Sequence, residues 1–211
     1  MDVFAGRKPE TQHERDVMIV SHLGDGIYAT DTSVAGLEVI PAFITPEEEI
    51  RLVKFADSVE WDTGLKRRVQ HYGYRYNYLK RSVDSESFLG DIPEELVDIC
   101  ARLDRYGLHR PQQVIVNEYQ PGQGIAPHVD APVFGPVVCT LSCLHEVPMV
   151  FQLGAEKVEV SLPRRSLAVL RGPSRVDWRH SIASRMTDRK DKRKIRRQRR
   201  VSFTFRSVEQ A

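Results

Sequence analysis

Apolar residues change their spacing midway along the chain. In the first half they recur at helical intervals. Leu52, Phe55, Ala56 and Val59 fall at i, i+3, i+4 and i+7, and Leu96, Ile99, Cys100 and Leu103 repeat the pattern. A short strand, Leu37 to Phe43, leads into the first helix, where Thr45, Pro46 and Glu48 form a capping box with proline at the first helical position. The second helix begins near Pro93 and stops at Gly107. From there the segments VIVNEY, VVCTLSCL, MVFQL, VEVSLP, SLAVLRG and VSFTFRSV are short, rich in β-branched and aromatic residues, and separated by turn residues. Helices followed by a run of strands predict a mainly β fold with flanking helices, not a parallel α/β sheet. A double-stranded β-helix (jelly roll) is the expected architecture. Residues 1–18 are polar and expected to be disordered, which leaves residues 19–211 as one domain without internal repeats.

The last strand carries the first chemical signal. In RVSFTFR, Val201, Phe203 and Phe205 share one face while Arg200, Ser202, Thr204 and Arg206 share the other. If the aromatic face packs on the helices, two guanidiniums point into the roll, where they are costly unless an anion meets them. Their Cα atoms are separated by about 20 Å of strand, so arginines leaning inward could hold a short dicarboxylate through forked hydrogen bonds.

A second signal lies in NEYQPGQGIAPHVD, Asn117 to Asp130, where His128 and Asp130 stand two residues apart and so share a side on an extended segment. His180, in DWRHSI, sits on another strand-like segment. Two histidines and a carboxylate fit the facial triad of a non-haem Fe(II) oxygenase, which leaves positions for a chelating 2-oxo acid and for O2. Zinc can use the same ligand types. An isolated H-x-D occurs in many exposed turns, and an isolated histidine is usually structural. The joint pattern, in this order and on strands of matching parity, is what points to a metal site.

Composition adds bounds. The chain has 211 residues, 41% hydrophobic and 28% charged, values of an ordinary globular protein. No apolar run approaches the roughly 18 residues of a membrane span. The N-terminal MDVFAGRKPETQHERD lacks an apolar signal core, so a cytoplasmic setting (nuclear if eukaryotic) and a monomer are expected. Cys100, Cys139 and Cys143 are an odd set without C-x-x-C spacing and read as buried thiols. Net charge is only +2, yet Arg185 to Arg200, RMTDRKDKRKIRRQRR, holds ten Lys or Arg in sixteen residues. Such a run reads as a solvated, mobile loop or as a binder of phosphate backbones. Its place between His180 and Arg200 favours the second. Tyr72, Tyr74, Tyr76 and Tyr78 alternate on a predicted strand, which is either a wall for a flipped base or simple aromatic packing.

These residues resemble the AlkB family of Fe(II)/2-oxoglutarate dioxygenases. The shared motifs are N-x-Y-x-P-G at Asn117 to Gly122, H-x-D at His128 to Asp130, G-x-S-R at Gly172 to Arg175, His180, and R-x5-R at Arg200 to Arg206. VQHYGYRYNY (Val69 to Tyr78) and LPRRSLAVLRGPSR are similar to the branch containing the AlkB homologue fused to a tRNA methyltransferase. The resemblance implies that His128, Asp130 and His180 hold Fe(II), with 2-oxoglutarate and O2 as co-substrates. It implies that Asn117 and Tyr119 line the co-substrate site, with Arg200 on the distal carboxylate and Arg206 nearer the metal. Ser202 and Thr204 lie between the arginines and are taken with them. Tyr72, Tyr74 and Tyr76 would begin a nucleotide-recognition lid, and Arg193, Arg196 and Arg197 would grip phosphates. The implied activity is oxidative demethylation or hydroxylation of a nucleobase in RNA, tRNA included, or in single-stranded DNA. Family members that repair simple methyl lesions carry an acid two residues after H-x-D, where this chain has Pro132. A protein side chain as substrate, and a non-catalytic nucleic-acid-binding module, are the competing readings.

Overall fold

A computed structural model describes residues 20–23, 27–76, 83, 85–190 and 192–209. The segment expected to be disordered, 1–18, and Tyr78 lie outside the described residues. Two antiparallel sheets face each other. The larger contains β1 (Val20–Leu23), β2 (Ile27–Asp31), β3 (Leu37–Ile40), β4 (Val69–Gly73), β5 (Gln113–Tyr119), β7 (Phe134–Cys143), β10 (Leu167–Arg171) and β14 (Arg200–Val208). Its order is β1-β2-β3-β10-β7-β14-β5-β4. The smaller holds β6 (Ile125–His128), β8 (Val147–Leu153), β9 (Glu156–Leu162) and β11 (Arg179–Ile182), in the order β6-β11-β8-β9. The crossovers between them are those of the expected jelly roll.

Two helices cover the outer face of the large sheet. Helix α1 (Pro46–Ser58) starts with the predicted box: the Thr45 hydroxyl accepts from the Glu48 amide at 3.1 Å, and the Glu48 carboxylate accepts from the Thr45 amide at 2.8 Å. Helix α2 (Glu94–Leu103) runs on through a tight turn, Asp104–Tyr106, to Gly107. Leu52 and Ala56 of α1, and Leu96 and Ile99 of α2, pack with Val114, Val116, Val201, Phe203 and Phe205 in one cluster. A second cluster, including Leu37, Val39, Tyr119, Met149, Phe151 and Ile182, fills the space between the sheets. The period of two along β14 thus sends Val201, Phe203 and Phe205 to the helices and Arg200, Ser202, Thr204 and Arg206 inward, as the sequence predicts. Along β5 the faces are mixed, with Glu118 on the side of Val114 and Val116, and Ile115 beside Asn117 in the cavity. Cys139 and Cys143 are buried free thiols, and burial pushes both up to about 12. Among the described residues no helix is long and apolar enough to cross a membrane.

The basic run, read either as a solvated, mobile loop or as a binder of phosphate backbones, has regular structure. It folds as a hairpin of β12 (Thr187–Lys190) and β13 (Arg193–Arg196), which pair only with each other. Asp188 closes its root by accepting from Arg185 at 2.6 Å and from Arg197 at 2.7 and 2.9 Å. In the sequence that carboxylate is one of two acids, with Asp191, inside the basic stretch.

Phe203 is wholly buried between the helices and the sheet. Phe203→Ala should lower unfolding free energy by about 3–5 kcal/mol, read as a shift of the urea midpoint; an unchanged midpoint would contradict this packing.

Candidate active site

The break in NEYQPGQG brings β6 against β11. Gly124 passes so near the Ile182 carbonyl that a Cβ there would lie 2.1 Å from its oxygen, which only glycine permits. The pairing that follows sets His128 directly opposite His180, and facing residues of an antiparallel pair project to one side. Their ring centroids are 4.3 Å apart. Asp130 follows β6 by two residues and completes the group, with one ligand atom from each residue all within 4.8 Å of one another.

The electrostatics suit metal binding. Burial pushes the Asp130 carboxyl up, but Arg206, His180 and His128 outweigh it and hold the group down at about 2. Arg206 donates to Asp130 Oδ1 at 2.5 Å, while Oδ2 lies 3.8 Å from His180 Nε2. Burial lowers His180 to about 4, opposed by Asp130. At neutral pH the group is therefore an anion beside an uncharged imidazole, the states that ligate. Nδ1 of His128 lies 2.9 Å from the Ala126 carbonyl, leaving Nε2 for a ligand role.

Arg175 holds the loop that carries Asp130. Its guanidinium is almost fully buried and donates to four backbone carbonyls: Gly135 at 3.1 Å, Asp130 at 2.9 Å, Ala131 at 2.9 Å and Phe134 at 2.8 Å. The short helix α3 (Pro173–Val176) presents it, after a turn in which the Ser174 hydroxyl bonds both the amide and the carbonyl of Arg171 at 3.0 Å. The G-x-S-R motif was visible in the sequence, but its four acceptors were not, because backbone carbonyls leave no signature in residue types.

The metal-ligating group opens on a cavity of about 590 Å³ between the sheets. Asn117, Tyr119, Arg200, Ser202, Thr204 and Arg206 all line it. Arg200 is 2% exposed. It donates to Ser142 Oγ at 2.8 Å and lies over the Tyr119 ring at 5.3 Å, with its Nε unpartnered and no carboxylate in contact among the described residues. Arg206 is already engaged by Asp130 and by the Gln113 amide oxygen (2.7 Å), although its Nε has no partner among the described residues. One guanidinium thus orients a metal ligand, and the other awaits an anion. A His-Asp-His donor set with free positions, facing a buried cation without a counter-charge, fits Fe(II) and a chelating dicarboxylate.

The remaining site residues divide. Tyr76 lines the cavity and packs on Phe134 at 5.6 Å. Tyr72 does not: it packs on Phe55 of α1 at 5.6 Å, within the helix-side core. Tyr74 packs on Phe88 at 5.1 Å, away from the cavity lining. The alternation ends at Gly73 (φ 71), where a Cβ would lie 1.9 Å from the Gln112 carbonyl oxygen. Before that turn it is His71, the neighbour of opposite parity, that faces the cavity. Arg193 and Arg196 are exposed, whereas Arg197 is 5% exposed and bound to Asp188, so it is a structural cation and not free to grip a phosphate. The sequence reading missed Arg67, which lines the cavity and donates to Asn117 Oδ1 at 2.9 Å, and Gln113. Position two before β4 carried no periodic signal for the first, and the second reads as an ordinary strand residue.

Comparison with known proteins gives a consistent picture. The model of the 2OG-Fe(II) oxygenase superfamily matches residues 36–206. Protein L905 of Acanthamoeba polyphaga mimivirus is 35% identical over 179 residues, covering 82% of this chain and 85% of that protein. The tRNA (carboxymethyluridine(34)-5-O)-methyltransferase alkbh8 of Xenopus tropicalis is 36% identical over 165 residues. That match covers 72% of this chain but 26% of the relative, so the chain corresponds to a minor part of its length. Among solved structures, OsALKBH1 superposes with a TM-score of 0.65 over 85% of this chain and 99% of that one; at 15% identity the likeness is one of fold.

Two outcomes are expected. Arg175→Met should weaken Co(II) binding by about 10–100-fold, as loss of a group supporting a metal ligand does, with the far-ultraviolet circular dichroism unchanged; wild-type affinity would show that the loop holds itself. In the metal-chelated protein, His180 stays neutral down to about 4 while the unfolded chain takes up a proton near 6.5. Stability should therefore fall as pH drops from 6.5 to 4, and His180→Asn should flatten that slope in urea titrations.

Proposed function

The chain belongs to the 2OG-Fe(II) oxygenase superfamily, among its AlkB-like members, and on that footing we propose that it hydroxylates or demethylates a nucleobase in RNA or single-stranded DNA. As a dioxygenase of this family it uses Fe(II), 2-oxoglutarate and O2. Bound together, these convert the 2-oxo acid to succinate and CO2 and place one oxygen atom on a substrate C–H bond. Where that carbon is attached to a base nitrogen, the hydroxylated product releases formaldehyde.

His128 and His180 would offer ring nitrogens to the metal, and Asp130 its charge. Arg206 occupies one oxygen of Asp130 and so leaves the other turned toward the histidines. Arg200 would neutralise the far carboxylate of 2-oxoglutarate, with Ser202, Thr204, Asn117 and Tyr119 bounding the space between. One observation carries this assignment: Arg200 is a buried guanidinium without a carboxylate in contact among the described residues, in the same cavity as the ligand group. Burying a lone charge is costly, and a dianion that also reaches the metal removes the cost.

A nucleobase as the oxidised group is supported by the chemistry at the mouth and by the relative whose name specifies tRNA. Tyr76 and Phe134 form an aromatic pair beside Asp130, of the kind on which a flipped base can stack. Pro132 lines the same cavity and offers no side-chain hydrogen bond.

Anaerobic addition of Fe(II) and 2-oxoglutarate should produce a weak charge-transfer absorption band, absent in His128→Ala and Asp130→Ala. Arg200→Met should need about 10–100-fold more 2-oxoglutarate for the same band, the loss of a charge-assisted contact. With O2, mass spectrometry of nucleosides from incubated RNA and single-stranded DNA should reveal one oxidised or demethylated base. Turnover with a protein substrate and with neither nucleic acid would overturn the nucleobase assignment, and a missing band from folded protein would overturn the metal site.

A further inference from the structure

The cations of the Arg185 to Arg200 stretch fall into two groups that serve opposite ends. Those at the root of the hairpin are turned inward. Arg185 and Arg197 share Asp188, Arg197 also donates to the Ala183 carbonyl at 2.7 Å, and Arg199 joins Glu118 at 2.7 Å and Asp57. Those beyond the root are turned out. Arg189, Lys192, Arg193, Lys194 and Arg196 are exposed and have no acidic partner among the described residues, whereas Lys190 pairs with Glu146 at 2.9 Å.

The register makes this more than a solvated charge run. Arg189 faces Lys194, and Lys190 faces Arg193, directly across the two strands. Opposed side chains there are about 4.5–5.5 Å apart at Cβ, and like charges in that position destabilise the pairing. Neighbouring pairs on a two-stranded ribbon project to opposite faces. Lys190 and Arg193 share one face, where Glu146 already meets Lys190. Arg189, Lys194 and Arg196 share the other, so an anion seated between Arg189 and Lys194 would relieve a standing repulsion. The root is fixed next to the site: the Gly122 amide donates to the Arg185 carbonyl at 3.2 Å, in the loop that leads into β6 and His128, and Arg200 follows Arg197 by three residues.

We propose that the β12–β13 hairpin docks the sugar–phosphate backbone of the substrate strand, with phosphates held along the face that carries Arg189, Lys194 and Arg196 while the target base enters the cavity. This rests on the nucleic-acid reading above but not on the oxidation itself. A strand whose single negative charges recur at a fixed interval matches three cations spaced along one face of a ribbon. An acidic peptide offers its charges on flexible stems without that fixed repeat.

The test uses the full chain with redox-inert Zn(II), so that binding is measured without turnover. Fluorescence anisotropy follows labelled 20-mers of uridine and of thymidine across a salt series. The variant Arg189→Gln, Lys194→Gln, Arg196→Gln should flatten the dependence of log affinity on log salt by about 2, since each single-strand phosphate contact contributes about 0.7. A control neutralising Arg51, Lys54, Arg105 and Lys157 to Gln, all exposed and on other surfaces, should leave most of the wild-type slope. Metal binding by both variants should match wild type. An unchanged slope in the hairpin variant, or an equal loss in the control, overturns the proposal. So does hairpin-dependent binding of polyglutamate with neither oligonucleotide bound. Failure to oxidise any nucleoside, with hairpin-dependent binding intact, would instead remove the proposed chemistry and leave the docking surface standing.

Discussion

Burying Arg200 without a carboxylate is the arrangement on which the rest of this molecule turns. Charged groups in a protein interior are costly unless paired, and among the described residues no carboxylate meets this one. The strand that carries Arg200 can bear it because its other face, Val201, Phe203 and Phe205, is locked under two helices. The sheet is thus held from behind while its front presents Arg200, Ser202, Thr204 and Arg206 to a cavity. The same cavity holds two histidines and an aspartate close enough to share one ion.

Elsewhere the chain neutralises its internal charges itself, and the contrast makes Arg200 stand out. Arg175 is surrounded by four carbonyls. Arg206 is bound to Asp130, and Arg197 to Asp188. The buried carboxylate of Glu118 accepts from Arg68 at 2.6 and 2.8 Å and from Arg199 at 2.7 Å, and Arg199 continues to Asp57 on α1. Burial would push the Glu118 carboxyl up, yet the two arginines bring it below its ordinary range. This last network fastens β5, and with it Asn117 and Tyr119, between the helix and the start of β14. Arginine's planar fork suits it to each of these roles, because several acceptors can be met at fixed angles.

Much of this was legible from residue order. The capping box, the two apolar stripes and the strand-rich second half correspond to α1, α2 and the sheets, because each is a local pattern that packing merely ratifies. The polar parity of RVSFTFR placed two arginines and two hydroxyls in the cavity, since a strand sends alternate residues to opposite sides. Local pattern failed where the backbone left the regular strand. Gly73 ends the alternation that would have put Tyr72, Tyr74 and Tyr76 together, so only Tyr76 reaches the cavity. Asp188 draws Arg197 inward at the root of the hairpin, a pairing that the charge pattern alone does not reveal.

By itself, the order of residues determined the fold class, the ligand trio and the two arginines, because spacing along strands decides which side chains share a face. Only the tertiary structure decided which arginine is already satisfied, which loop Arg175 holds, and which basic residues remain open to solvent. Those are matters of distance between groups far apart in the chain, such as Arg206 and Asp130 or Arg175 and Gly135. Electrostatic and hydrogen-bonding partnerships depend on that distance, and it is set by how the two sheets close on each other.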